Sequence, residues 1–198
     1  MHAGDATGDA GTASFVQVGP GGRQLLRRVD PSNPGAATTT PTDQPAVPGL
    51  VAVSNTGRTW VDPAAPTALQ VQPSGAAAPT AVALPGPALR VWSATNVIVV
   101  AVRTGARISL LRVDQPALSP VRVWRGKTLP RVAVGGGSVA VAERRRVLAA
   151  RRGSLKVLTR TKRMIEAVGV DRRRVAWIER GVRRKGGRVG VVHLGIAR

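Results

Sequence analysis

The sequence predicts an all-β chain: a propeller-like array of about four repeats, each of three to four antiparallel strands, with a disordered N-terminus and a Pro-rich linker ahead of it. Three observations carry that expectation. Thirty residues are Val, against five Phe or Trp and no Tyr; Val is stiff at χ1 and fits a pleated sheet. Similar segments recur at a spacing near forty residues, the mark of a propeller or a related β array. Several strands are apolar on both faces, which a sheet stacked between two others requires. With 198 residues, 43% of them apolar, the chain is long enough to bury a core.

Residues 1–12 are mostly Gly, Ala, Asp and Thr and read as a disordered tail. Residues 13–29 read as a hairpin, strand to strand across a Gly-Pro-Gly-Gly turn at 19–22. Residues 30–49 hold five prolines in twenty positions and read as a linker or long loop, because proline donates no hydrogen bond to a ladder. Residues 50–198 carry the repeats.

Four segments open the repeats: "LVAVSNTGRTWVD" from 50, "LRVWSATNVIVVAVRTGARISLLRV" from 89, "RVAVGGGSVAVAERRRVLAA" from 131 and "EAVGVDRRRVAWIERGVRRKGGRVGVVHL" from 166. Their starts lie 39, 42 and 35 residues apart. Fourth strands are expected at 79–84, 120–125 and 154–160, with none left for the last repeat. The hairpin at 13–29 is a candidate for the missing strand and would close a ring, removing its open edges.

In "VIVVAV" (97–102) every residue is apolar, so both faces should be buried. In "RVAWIE" (174–179), Val175 and Trp177 share one face, while Ala176 and Ile178 share the other. Both faces are expected to be covered. The stretches "RISLLRV" (107–113) and "SLKVLTR" (154–160) alternate more and read as outer strands.

"GVDRRRVAWIER" followed by "GGRVGVVHL" resembles the propeller repeat of TolB-like proteins, in which an Asp-containing turn leads into an apolar strand, a Gly-rich turn and another strand. Asp171 stands where that turn Asp would. "SNTGRTWVD" (54–62), with Asn55 and Gly57, is a weaker second match. The resemblance runs over 50–198 in pattern and is clear in one or two repeats. "VDRRR" lacks the Pro and Gly usual around that Asp, and the usual aromatic on the following strands is missing. The resemblance implies a non-enzymatic binding or scaffold module, often exported.

Charge is unevenly placed. Residues 1–99 hold five Arg and five Asp; residues 100–198 hold 25 Lys plus Arg against five acids, which is the whole net charge of +20. Such asymmetry points to an anionic partner, although Arg also serves as a default solvent-facing strand residue in a GC-rich genome. The candidate anion-binding residues are Arg144, Arg145, Arg146, Arg172, Arg173, Arg174, Arg183, Arg184, Lys185 and Arg188, with further clusters at 151–152 and 160–163. Most lie at expected hairpin ends, where turns at one end of stacked sheets gather on one rim. Such a rim would bind phosphates without reading sequence.

Other chemistry is thinly represented. With no Cys, two His and ten scattered acids, no disulfide, transition-metal site or cofactor is expected. His193 is the one histidine on a strand; nothing nearby suggests an Asp to orient it for a Ser-His-Asp triad, and it reads as a partly buried or rim histidine. "RGKT" (125–128) lacks the first Gly of a phosphate-binding loop, the place being held by Val121, and it leads into a strand rather than a helix. "GGG" (135–137) reads as a hairpin turn. Trp60, Trp92, Trp124 and Trp177 read as strand fillers, with Trp124 notable for its neighbours Arg122, Arg125 and Lys127. The N-terminus has no signal-peptide pattern, and no apolar run nears the ~20 residues of a membrane helix. A soluble, non-enzymatic binding or scaffold module is therefore expected. A nucleic-acid or polyanion binder is the alternative, and a truncated fragment of a larger, exported propeller the third reading.

Overall fold

The computed structural model describes the backbone of residues 7–9, 12–18, 23–30, 33–45, 49–184 and 187–196, and the side chains of 49–181 and 190–196. It falls into two compact units, Met1–Lys127 and Thr128–Arg198. No helix occurs among the described residues, so none is long and apolar enough to cross a membrane.

In the first unit, β1 (Thr7–Asp9), β2 (Thr12–Val18), β3 (Arg23–Asp30) and β4 (Asn33–Pro45) pair in that order. A second sheet holds β5 (Val51–Ser54), β6 (Gly57–Val61), β7 (Ala68–Pro73) and β8 (Thr80–Ala83). A third holds β9 (Ala88–Ala94), β10 (Val97–Thr104), β11 (Arg107–Asp114) and β12 (Pro120–Gly126). In the second unit, β13 (Arg131–Gly135), β14 (Ser138–Glu143), β15 (Arg146–Ala150) and β16 (Lys156–Arg160) form one sheet. The last sheet has three strands, β17 (Ile165–Asp171), β18 (Arg174–Arg184) and β19 (Gly187–Ile196). Each sheet is an antiparallel meander of strands adjacent in sequence.

From residue 50 onward this is the expected array. The four sheets begin at Val51, Ala88, Arg131 and Ile165, and the three fourth strands are β8, β12 and β16. Alternating apolar runs and short turns are local signals, and the tertiary structure agrees with them.

Upstream the structure differs from the reading. Thr7–Asp9, in the stretch read as a disordered tail, pair with β2. Most of the stretch read as a linker is β4, paired with β3. β4 is an edge strand, and an edge tolerates Pro34, Pro41 and Pro45 because only one side of it must donate to a ladder. The 19–22 turn lies outside the described residues. The strands flanking it, β2 and β3, are the middle of a sheet of their own, so the hairpin is not the missing strand of the last repeat.

The first unit's core joins the second and third sheets: Leu69, Val71 and Val82 pack with Val91, Ile98, Val100 and Val113. All six residues of 97–102 are buried. β11 departs from its outer-strand reading. It lies between β10 and β12, and Ile108–Val113 are all buried, Ser109 and Arg112 included. The buried Arg112 is paired with Asp114 at 2.8 Å.

In the second unit Ala140, Ala142, Val147 and Ala149 pack against Ile165, Val175 and Trp177. Two glycines let the β13 and β17 ends meet. A side chain on Gly135 would fall 2.1 Å from the Val170 carbonyl oxygen. One on Gly136, whose φ is +52°, would fall 2.5 Å from the Arg172 nitrogen. "GGG" is thus a hairpin turn that also admits a neighbouring backbone. The last sheet corrects one expectation. Val175 and Trp177 are buried, but on the other face Ile178 is 37% and Leu194 78% exposed. That face has no sheet against it among the described residues.

Candidate anion-binding surface

A meander places alternate turns at opposite ends, and this divides the basic clusters of the second unit. The β14–β15 turn, Arg144 and Arg145, is closed by the Glu143–Arg146 register pair. Arg144 adopts the left-handed region at φ +50°. The carbonyl of Arg144 accepts from the Ile165 N–H and that of Arg145 from the Thr161 N–H, both at 2.8 Å. The Thr161 hydroxyl donates to the carbonyls of Arg145 and Arg163. The Arg180 N–H reaches the Met164 carbonyl at 2.7 Å, which brings β18 to the same end.

Seven basic side chains sit on this stitched frame. Two are paired, Arg146 with Glu143 at 2.6 Å and Arg180 with Glu166 at 2.8 Å. Arg144, Arg145, Arg160, Lys162 and Arg163 are exposed and have no ion-pair partner among the described residues. The backbone bonds fix where these five side chains leave the chain. Like charges held this close repel one another, and salt screens that repulsion.

The ten residues singled out by sequence are not brought together. Arg144, Arg145 and Arg146 lie at the end just described. Arg183, Arg184 and Arg188 occupy ladder positions of β18 and β19 beyond Arg180, toward that end; Lys185 lies outside the described residues. Arg172, Arg173 and Arg174 form the β17–β18 turn at the opposite end, where the Ser138 hydroxyl donates to the Arg172 carbonyl. The expected single rim is two separate ends. Arg160, Lys162 and Arg163 belong to the further cluster at 160–163 rather than to the ten, and it is they that join Arg144 and Arg145. Counting turns gives this grouping, because the end of β16 and the β14–β15 turn share an end in any such meander.

The aromatic residues fill strands. Trp60, Trp124 and Trp177 are buried, and the Trp124 ring lies over Gly126. Arg58 and Arg90 stack their guanidiniums on Trp60 and Trp92, at 5.2 and 5.3 Å from the ring centroids. The carboxylate beside His193 is a Glu: the imidazole Nε2 is 3.2 Å from Glu179 Oε1. The register supplies it, because Trp177 faces His193 and Glu179 follows two positions on.

No protein-family model matches the sequence, and no curated protein matches it. Solved structures do. The chain is similar to TolB from Acinetobacter baumannii, at 14% identity and a TM-score of 0.59 over 94% of this chain and 49% of that one. It is similar to the β-propeller domain of the Trilobed protease from Pyrococcus furiosus, at 7% identity and a TM-score of 0.59 over 98% of this chain and 68% of that one. An acylaminoacyl peptidase from Pyrococcus horikoshii matches at 8% identity and a TM-score of 0.61, over 97% of this chain and 38% of that one. The chain thus spans about half the length of TolB and about two fifths of the peptidase. Identities this low establish the fold alone: the chain is an all-β protein whose sheets follow the β-propeller pattern.

Proposed function

We propose that this chain is a non-enzymatic binding module, TolB-like in its repeats, and that one end of its second unit holds polyanions by charge. The observation that carries the reading is the set Arg144, Arg145, Arg160, Lys162 and Arg163, exposed and without an ion-pair partner among the described residues, on a frame of backbone hydrogen bonds. Guanidinium groups bind phosphate oxygens in bidentate fashion, so four arginines and a lysine suit a phosphate-rich chain. Recognition is of charge and spacing, not base sequence. The likeness to propeller proteins supports the module reading by fold analogy only.

The test is fluorescence anisotropy of a labelled duplex DNA of scrambled sequence titrated with the full chain across a salt series. Binding should weaken steeply with salt, log affinity falling by about 0.9 per log unit of salt for each phosphate contacted. Two duplexes of unrelated sequence should bind alike. Absence of binding at low salt overturns the polyanion reading.

A further inference from the structure

The first unit contains a second, unrelated site. A cleft of about 600 Å³ opens where the end of β8 meets β10, β11 and β12. Its apolar wall includes Leu84, Pro85, Leu111 and Pro120. Its polar groups are Arg122, Arg125, Thr104 and Ser109. No acidic residue lines it. That volume falls within the range of small-molecule sites, about 300 to 1,000 Å³.

A β-bulge sets the two arginines side by side. In a regular strand residues 122 and 125 would point to opposite faces. The β11–β12 register shifts between Leu110 and Leu111, so Leu111 faces Arg122 while Ser109 faces Arg125. Leu111 and Ser109 share a face of β11, and their partners therefore share it too. Bulges that re-aim a side chain recur beside functional sites. Neither arginine has an ion-pair partner among the described residues, and both are exposed. In the same lining Ser109 is 3% exposed, and its hydroxyl lies 3.3 Å from that of Thr104.

We infer that this cleft binds a small organic oxyanion, a carboxylate or phosphate carried on an apolar body. The guanidiniums of Arg122 and Arg125 take the anionic head, the Ser109–Thr104 hydroxyl pair offers a further hydrogen bond, and Leu84 and Leu111 take the apolar part. A bare inorganic anion would leave the apolar wall unused, and a neutral ligand would leave two cations without a partner. The site shares no residue with the polyanion surface of the second unit and does not depend on it.

Calorimetric titration of the full chain tests this with four probes: naphthyl phosphate, naphthoate, naphthalenemethanol and inorganic phosphate. One or both organic anions should bind at a single site, and whichever binds tighter identifies the preferred head. The alcohol and inorganic phosphate should each bind at least about tenfold more weakly, since each lacks half of the match. Replacing Arg122→Gln together with Arg125→Gln should weaken the organic anions at least about tenfold, the loss of two charge-assisted contacts. Because both side chains are exposed, the melting temperature should hold. Arg151→Gln with Arg152→Gln, at equal cost in charge, should change nothing. Equal binding of the alcohol and the anions, or unaltered binding in the Arg122/Arg125 variant, would overturn the inference, as would no binding of either organic anion.

Discussion

The Trp177 indole and the His193 imidazole stack across β18 and β19, their centroids 5.4 Å apart and their planes 10° from parallel. They are register partners, and Glu179 reaches the same imidazole from the next position on that face. The stack lies on the face that packs against the β13–β16 sheet, while Ile178, one residue from Trp177, looks out on the open face. Neighbouring positions on one strand therefore have unequal weight.

Trp177→Ala should lower stability by about 3–5 kcal/mol, the range for deleting a large buried aromatic. Ile178→Thr should change it by less than about 1 kcal/mol, because Thr keeps the β-branched shape and little apolar area is lost. Urea unfolding followed by circular dichroism measures both. Equal effects would mean that the two faces are covered alike.

Gly136→Ala should cost roughly 2 kcal/mol or more. It forces a side chain into a left-handed turn and against the Arg172 backbone. Arg144→Gly is the converse case. Its φ of +50° already burdens an L side chain, so glycine there should leave stability unchanged or raise it by up to about 1 kcal/mol. Thermal melts of the two variants should move in opposite directions, or the Gly136 variant alone should move.

The two basic ends should behave differently toward a polyanion. Arg172→Ser with Arg173→Ser removes two exposed charges from the β17–β18 turn and should leave the salt slope of duplex binding nearly intact. Arg144→Ser with Arg145→Ser removes two from the stitched end and should reduce that slope by up to about 1.8, or about 0.9 per contact. A mobility-shift series in rising salt compares them directly. Equal losses would make the surface a diffuse field rather than a site.

Much of the array was legible in the sequence because its signals are local. The both-sides-apolar run at 97–102, the turn glycines at 136–137 and the spacing of the repeats all survive into the structure. What escaped depends on neighbours. Prolines 34, 41 and 45 argue against a strand until it is known to lie at an edge. Ile178 looks as buried as Trp177 until the number of covering sheets is known. The bulge that aligns Arg122 with Arg125 is a matter of register, and nothing in "VRVWRGK" announces it. For the basic surface, the clusters were visible but their grouping was not, because it follows from which turns share an end.

The most direct test of the binding surface removes four of its five unpaired charges at once, Arg144→Ser, Arg145→Ser, Lys162→Ser and Arg163→Ser, and measures duplex affinity against salt. Exposed substitutions of this kind shift stability by about 0.5 kcal/mol or less each, so the fold should persist and its melting curve should verify that. The salt slope should fall by as much as about 3.6, four contacts at about 0.9 each, with most low-salt affinity lost. An unchanged slope in a folded variant would contradict it and place any polyanion binding elsewhere on the chain.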